Sequence, residues 1–450
     1  MTTGERRVAL SLVSVISVRM LGLFMILPVF AVYARDLEGY TGFLAGVAIG
    51  IYGLTQGLFQ IPMGMLSDRW GRKPIIITGL LVFAFGSVVA AMSTSIYGVI
   101  LGRALQGMGA ISSAVMALAA DLTREEQRMK MMAMIGMSIG ASFMLALIIG
   151  PVLHGWFGLT GIFWMTTVLA LAAILIVMFR VPTPVVSNLN RDAGVEPGWF
   201  RKVIKDSQLL RLDAGVLILH MIMTATFMAV PRFLDKQFNL ALTDHWRVYL
   251  PVLILSIILI LPFIILAERK RMMKQVLVTS VIVLSLACLG LYHWHQSLAG
   301  MVMLLVMFFA AFNLLEASLP SLVAKTAPAA HKGTAMGVFS SSQFMGAFLG
   351  GAGGGWLGQT YGLETVFLGN AVLAGLWLFI AVTMRQPRYL SSYTLQVGRL
   401  DEVRARELVS ALTAVKGVAE AVVIPEDGVA YLKVDKGSLD QEALCVFSVS

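Results

Sequence analysis

The sequence is poor in charge and in cysteine, and it lacks a nucleotide-binding loop. Only 13% of its 450 residues are charged, and its two cysteines, Cys288 and Cys445, form no spaced cluster. This pattern argues against a disulfide framework and against a cysteine metal site. No G-x-x-x-x-G-K-[ST] sequence is present, so a P-loop that binds ATP is not expected. The sequence therefore predicts no metal ion and no organic cofactor.

Apolar residues make up 58% of the chain, and they recur in runs near 20 residues. An α-helix of about 20 residues crosses the hydrocarbon core of a bilayer. The first run carries Arg19 and is followed by no small-residue cleavage site, which is unlike a signal peptide. Twelve spanning helices are predicted, approximately at 8–34, 41–66, 74–92, 96–120, 129–153, 161–180, 211–234, 246–267, 274–292, 297–322, 333–358 and 363–384.

The net charge of +9 follows from the membrane topology that these runs predict. With the N-terminus inside, most Lys and Arg residues fall in cytoplasmic segments, and the predicted external ones are Arg35, Arg232, Lys236 and Arg247. Cytoplasmic loops of membrane proteins carry such an excess. The sequence thus predicts a multi-pass membrane protein with both termini in the cytoplasm. Nucleic acid is not needed as a partner to explain the charge.

The predicted helices divide into two sets of six. The longest polar loop of the membrane part covers about 181–210, with six helices on each side. A shift of 200 positions places GWFG at 155–158 on GWLG at 355–358, and Asp68 on Glu268. Internal repeats of this kind are common in transporters. The pattern predicts an all-α membrane part with an N-terminal bundle at 1–180, a linker at 181–210 and a second bundle at 211–388.

The composition changes after Arg388 to that of a small soluble domain. Strand and helix patterns follow in the order β-α-β-β-α, which is most of a ferredoxin-like unit. Only VFSVS is left for a closing strand, so that strand is expected to be short. We predict an α+β ferredoxin-like cytoplasmic domain at 389–450, with a regulatory or stabilising role and a small ligand or a protein as its partner.

The stretch GMLSDRWGRK, residues 64–73, concentrates charge between the second and third predicted helices. A glycine at the end of a helix lets another backbone approach, and an aspartate beyond it can face the positive N-terminus of a neighbouring helix. A second glycine permits a sharp reversal, and the cations suit an anionic membrane surface. An alternative is a topology signal made of any basic residues, which leaves the glycine and aspartate spacing unexplained.

At this stretch the chain resembles the Major Facilitator Superfamily, whose signature is G-x-L-x-D-R-x-G-R-K. The matching positions are Gly64, Leu66, Asp68, Arg69, Gly71, Arg72 and Lys73. The resemblance implies two helical bundles that rock about a central cavity, with this loop stabilising the outward-open state. It makes Gly64, Asp68, Arg69, Gly71 and Arg72 gating residues. Glu126 and Arg128 in the next cytoplasmic loop are expected to complete a latch with Asp68, the alternative being an ordinary solvated run.

A second family signature, R-x-x-Q-G-x-G, is present in the fourth predicted helix, as Arg103, Gln106, Gly107 and Gly109. An arginine in hydrocarbon costs roughly 2.5–3.5 kcal/mol on insertion scales, so it needs a partner or a wet cavity. The resemblance implies a role for Arg103 in proton coupling. A structural ion pair and snorkelling near the external interface remain alternatives.

A third signature bears on the direction of transport. The fifth predicted helix approximates the G-x(8)-G-x(3)-G-P-x(2)-G-G pattern of drug/proton antiporters, through Gly136, Gly140, Gly150, Pro151 and Gly155. The run from Gly150 to Gly155 lacks the paired terminal glycines, and small residues also serve helix packing. The resemblance favours export over uptake.

Two titratable residues of the second half are candidates for proton coupling. Glu316 lies inside the tenth run and is taken as the only acidic residue well inside an apolar run. Burial favours the neutral form of a carboxylic acid, which suits a proton carrier. A buried ion pair with Arg19 is the alternative. His220 titrates in a useful range, although a lone histidine also serves packing.

Family logic places a substrate cavity between the bundles. The predicted lining residues are Arg19, Met25, Gln56, Phe143, Met144, Asn313, Ser342 and Gln343. The 27 methionines suit an adaptable apolar surface, although most are expected in the core or facing lipid.

Taken together, the residues and the resemblance predict a proton-driven transporter of the bacterial inner membrane that exports a small drug-like solute by alternating access. The expected partners are the lipid bilayer, the solute and protons, and the expected transport unit is a monomer. Two alternatives remain: uptake by proton symport, and a non-transporting sensor that signals through its tail. No catalytic constellation is predicted on a common surface, so an enzyme is not expected.

Overall fold

The computed structural model describes residues 3–183, 205–269, 272–327, 332–386, 391–398, 400–425, 428–435 and 438–448. The first part of the chain is helical. Its helices are α1 (Thr3–Phe24), α2 (Leu27–Tyr33), α3 (Gly42–Trp70), α4 (Arg72–Ala91), α5 (Ile96–Met108), α6 (Ser112–Asp121), α7 (Glu125–Arg180), α8 (Ser207–Lys236), α9 (Trp246–Arg269), α10 (Met273–Trp294), α11 (Leu298–Thr326), α12 (Lys332–Thr360) and α13 (Glu364–Val382).

Four predicted spans are interrupted or joined. The first is broken between α1 and α2, where Pro28 in the first turn of α2 lacks the N–H that a continuing helix uses. The fourth is broken between α5 and α6, around Gly109. The fifth and sixth are two helices that follow each other directly within α7 and meet at Gly158, the one residue of this range outside the helical conformation, with φ +67°. The predicted gap at 154–160 is therefore a one-residue kink.

Ten helical segments of the described chain are long and apolar enough to span a membrane. One of them, Lys130–Arg180, has 51 residues and contains the kink. The glycine-rich helix α12 does not reach the hydropathy of the ten, although its 29 residues are long enough to cross. Dividing α7 at its kink and adding α12 gives the twelve spans that the sequence predicts.

Two large apolar cores, beside three smaller ones, stabilise the helical part. One is built from residues 209–384 with Leu147, and another from residues 9–181. We call the end of the helices that holds Trp70, Asp121 and Arg180 the inner end. The end that holds Gly42 and Thr360 is the outer end. These names follow the sides that the charge distribution predicts.

The tail contains a small antiparallel sheet and two helices. Its elements are β1 (Ser391–Gln396), α14 (Glu402–Ala414), β2 (Val418–Ile424), β3 (Val429–Val434) and α15 (Gln441–Cys445). The strand order is β1-β3-β2, and both outer strands run antiparallel to β3. This is the predicted β-α-β-β-α order. No fourth strand lies among the described residues, so the ferredoxin-like assignment stays a prediction.

Candidate functional site

The charged loop at the inner end is organised around Arg72. Its guanidinium is buried, contacts Asp68 one turn earlier, donates to Ser67 Oγ at 2.8 Å and lies 3.3 Å from Asp121 Oδ2. Asp121 ends α6, so the pair joins the loop to the fourth span. A buried cation between two carboxylates holds the loop in one geometry. All of these contacts stay within the first half of the chain.

The remaining loop residues fix the turn between α3 and α4. Gly71 has φ +93°, a conformation that other residues avoid, and it separates the two helices. Lys73 Nζ donates to Met178 O and Val181 O, the free carbonyls at the end of α7. Gly64 packs on Ser113 of α6, and the Arg69 side chain is exposed. The latch partners Glu126 and Arg128 have side chains outside the described set, so the latch stays a prediction.

Arg19 connects three elements of the first half. It donates to Gly109 O at 3.1 Å, Gln56 Oε1 at 3.2 Å and Ser112 Oγ at 3.3 Å. The break between α5 and α6 leaves the Gly109 carbonyl without its helical partner, and such a group must find another donor inside a membrane. Arg19 therefore stabilises a broken helix. Among the described residues Arg19 forms no ion pair with Glu316, which was the alternative role for the two residues.

Arg103 is buried between α5 and α3. It donates to Ala48 O, Ile49 O and Gln106 Oε1, and it lies 5.0 Å from the centre of the Tyr52 ring. Its hydrogen bonds go to carbonyl and amide oxygens, and no ion pair of Arg103 occurs among the described residues. A role in proton coupling stays a prediction for this residue.

A polar cluster in the second half joins α8, α11 and α12 through His220, Glu316 and Gln343. The amide Nε2 of Gln343 lies 2.8 Å from His220 Nε2 and 3.2 Å from Glu316 Oε1. The other carboxylate oxygen, Glu316 Oε2, is 3.6 Å from His220 Nε2. We call these three side chains the α8–α11–α12 cluster. The Glu316 side chain is 40% exposed, although its Oε2 atom is itself buried, and its role in proton coupling stays a prediction.

The hydrogen bonds of the cluster assign its protons. His220 Nδ1 lies 3.1 Å from Val216 O, which only accepts, so Nδ1 carries a hydrogen. In a neutral imidazole the other nitrogen is then an acceptor, and it faces the amide donor of Gln343. If His220 Nε2 also carried a hydrogen, this N–H would point at the amide N–H of Gln343, and the two donors could not bond to each other. Glu316 Oε2 is the acceptor to which the new N–H would turn.

The predicted cavity residues fall into two groups. Met25 and Gln56 are buried together with Arg19, while Phe143, Met144, Asn313, Ser342 and Gln343 are half-buried. The Phe143 ring lies edge-on between Phe24 of α1 and Phe227 of α8, so it bridges the two halves. Asn313 donates to Ser256 of α9 at 3.3 Å and is separate from Glu316 in its contacts. Contact of these residues with a substrate stays a prediction.

The two halves meet at the outer end along α3 and α12. A Cβ added at Gly46 would lie 2.6 Å from the carbonyl carbon of Gly351, and one at Gly355 would lie 3.0 Å from that of Gly42. Only glycines allow backbones to approach this closely. The contact continues inward, because a Cβ at Gly53 would lie 2.8 Å from Phe344 O. We call this contact the glycine seam.

Three polar contacts reinforce the closed outer end. Arg232 of α8 donates from Nε to Ala31 O at 2.6 Å and also contacts the Tyr40 hydroxyl. The backbone N–H of Phe43 donates to Gln359 Oε1 at 3.1 Å. From the sequence Arg232 counts only as an external cation, but it is buried and crosses from one half to the other.

Asp213 is a buried acidic residue that the sequence-based predictions did not include. It lies in α8, is 6% exposed, and its Oδ2 has no hydrogen-bond partner in the described part of the chain. Its position near the start of the seventh run made it resemble an interfacial residue. Asp213 lies seven residues before His220, which is about two helical turns. This spacing places both side chains on one face of α8 and could have indicated from the sequence that Asp213 is buried.

The glycines of the third signature differ in their surroundings. A Cβ at Gly150 would lie 3.2 Å from the carbonyl carbon of Met25 and closer still to its oxygen, beside the break between α1 and α2, whereas one at Gly140 would meet no atom within 4 Å. Gly155 packs against Thr243, on the connection between α8 and α9 in the second half. Pro151 lies inside α7. Two of these positions thus serve close packing.

Comparison with known proteins identifies the family. The sequence matches the Major Facilitator Superfamily over residues 12–274 and 252–419. It is 46% identical to the inner membrane transport protein YajR of Escherichia coli (strain K12) over 437 residues, which cover 97% of this chain and 95% of YajR. It is 25% identical to the multidrug resistance protein MdtH of Yersinia enterocolitica over 347 residues, covering 76% of this chain and 84% of MdtH.

Solved structures show the same fold. The crystal structure of the nucleoside transporter NupG aligns with a TM-score of 0.68 at 16% sequence identity, covering 84% of this chain and 99% of NupG. The predicted family resemblance is therefore confirmed. The chain is a multi-pass membrane transporter that belongs to the Major Facilitator Superfamily.

Proposed function

We propose that the protein exports a small drug-like solute from the cytoplasm in exchange for protons, by alternating access. The observation that supports this proposal is the α8–α11–α12 cluster, which holds a histidine, a carboxylate and an amide in mutual contact between three helices. Ionisable groups inside a membrane bundle are costly, and they commonly mark ion pathways. The third signature and the similarity to MdtH favour export of a drug-like solute.

The position of Gln343 suggests how proton binding reaches the gate. Gln343 belongs to the cluster, and its neighbour Phe344 belongs to the glycine seam. Protonation of His220 Nε2 removes its bond from Gln343 and favours a contact with Glu316 Oε2. Because α12 carries both Gln343 and one side of the seam, the same step changes the restraint on the helix that closes the outer end.

In this proposal the described conformation is the one that faces the cytoplasm. The outer end is closed by the glycine seam and by Arg232, while within the described part of the chain Asp68 and Arg72 contact only the first half. The family role of the charged loop is to bind the other half in the outward-open state. The unprotonated arrangement of the cluster suits a carrier that has released its proton inward and is ready to take up solute.

Reconstitution into liposomes tests the proposal. A thermal-shift screen of drugs, sugars and metal ions first identifies a solute that stabilises the purified protein. We then expect this solute to accumulate in liposomes with an acidic lumen, and this result is independent of the orientation of the protein. Accumulation driven instead by an acidic bath would indicate symport and would overturn the exchange mechanism.

Variants of the cluster test the carrier of the proton. We expect Glu316→Gln to abolish solute-coupled proton movement while solute–solute exchange continues, because the neutral amide no longer offers a carboxylate to the protonated Nε2 of His220. Glu364→Gln, which removes a carboxylate at the start of α13, is the matched control and should behave as the wild type. Normal proton coupling in Glu316→Gln would remove Glu316 from the mechanism.

A further inference from the structure

A groove of about 340 Å³ lies between α8 and α13 at the inner end of the bundle. Its lining residues are Leu210, Arg211, Ala214, Phe379, Ile380 and Thr383. They belong to the first turns of α8 and the last turns of α13, which place the groove at the boundary between hydrocarbon and headgroups. Phe379 is 76% exposed, so the apolar wall opens toward the surrounding lipid and away from the protein core.

Arg211 brings a positive charge to this apolar groove. Among the described residues it forms no ion pair. The nearby carboxylate of Asp206 accepts hydrogen bonds from the backbone N–H groups of Gln208 and Leu209. Asp213 is buried and lies about 200° around α8 from Arg211, on the opposite face. Neither acid forms an ion pair with the Arg211 guanidinium in the part of the chain that the structure describes.

A second cation lies close by. The backbone N–H of Arg385 donates to Gln208 Oε1 at 3.0 Å, which holds the end of α13 against the start of α8, and the Arg385 side chain is exposed. The groove thus combines an apolar wall that faces lipid with cations at headgroup depth. An inorganic phosphate would satisfy the charge but would leave the apolar wall uncovered.

We propose that this groove is a binding site for one anionic phospholipid of the inner leaflet. The lipid phosphate binds the Arg211 guanidinium, whose fork of N–H donors matches two phosphate oxygens. An acyl chain packs on Leu210, Phe379 and Ile380. Basic pockets between spanning helices on the cytoplasmic side are suited to such headgroups. The site is separate from the proposed proton cluster and does not depend on the direction of transport.

Native mass spectrometry of the delipidated full chain tests the site. We expect phosphatidylglycerol to be retained in preference to phosphatidylcholine with the same acyl chains. Arg211→Gln should weaken phosphatidylglycerol binding by about fivefold, the factor that corresponds to about 1 kcal/mol per cation at an anionic surface. Arg180→Gln is the matched control, since Arg180 is an exposed arginine at the inner end of α7, and it should bind as the wild type.

A second variant tests the apolar part. Ala214→Phe fills the groove without changing charge, and we expect it to reduce phosphatidylglycerol retention while Arg211 remains in place. Equal retention of the two lipids by the wild type would overturn the proposal. Equal loss in Arg211→Gln and Arg180→Gln would do the same, because it would indicate only general attraction to positive charge. Thermal stabilisation by inorganic phosphate that matches the effect of phosphatidylglycerol would also contradict a lipid site.

Discussion

Gly46→Ala is the perturbation that most directly tests closure of the outer end by the glycine seam. The added methyl carbon would lie 2.6 Å from the carbonyl carbon of Gly351 and closer still to its oxygen. Ordinary contact between carbon atoms needs about 3.5–4.0 Å, so α3 and α12 must separate by roughly 1 Å. We therefore expect the variant to shift the protein toward the conformation with an open outer end.

The size of the shift follows from the cost of overpacking. Inserting a methyl group into a tight contact costs about 1–3 kcal/mol, which corresponds to a change of about 5- to 150-fold in the equilibrium between the two conformations. The gain in helix propensity from Gly to Ala is present in both conformations and cancels. Gly353→Ala is the matched control, since a Cβ at this position of α12 meets no atom within 4 Å.

Distances between spin labels at the outer end measure the shift. Cysteines introduced at Tyr97 and Trp294 place one exposed label on each half, in a background with Cys288→Ala and Cys445→Ala. We expect longer distances for Gly46→Ala than for the wild type and no change for Gly353→Ala. If both variants keep the wild-type distances, or if both change them equally, the seam does not control closure.

Three further substitutions test contacts at both ends. Arg72→Gln leaves the Asp121 carboxylate buried without its cation, which costs about 3–5 kcal/mol of folding stability. The variant should therefore unfold at a clearly lower temperature than Arg69→Gln. Equal unfolding temperatures of the two variants would contradict a stabilising pair. Arg232→Lys cannot make both cross-half contacts, and it should lengthen the outer-end spin-label distances, with an effect less than additive to that of Tyr40→Phe. Asp213→Asn should keep or raise the unfolding temperature, because Oδ2 has no described partner; a drop of several degrees would reveal one.

The helices could be predicted from the sequence because the length of an apolar run is a local property. The charged loop was equally readable, since Gly71 and Arg72 act through the turn that they themselves form. The breaks within the first and fourth spans, in contrast, were not predicted from the sequence. The interruption at Gly109 is stable only because Arg19, 90 positions away, satisfies its carbonyl, and such a contact depends on packing.

The polar cluster was predicted in its members but not in its arrangement. The sequence singled out His220 and Glu316 as titratable groups and placed Gln343 in the cavity, without joining the three. Their contact requires α8, α11 and α12 to be packed at one depth. Arg232 and Asp213 were missed as buried groups, because position near the end of a run does not reveal burial between helices.

The composition of α12 has a consequence for how the protein is assembled in the membrane. The glycines that let α12 approach α3 and α8 also lower its hydropathy below that of the ten clear spans. Transfer of such a segment into lipid alone contributes little free energy, whereas its close packing against neighbouring helices contributes much. During biosynthesis α3 and α8 enter the bilayer first, and we expect α12 to insert stably only when they are present. Stable insertion of the eleventh span would then depend on α3 and α8 already lying in the bilayer.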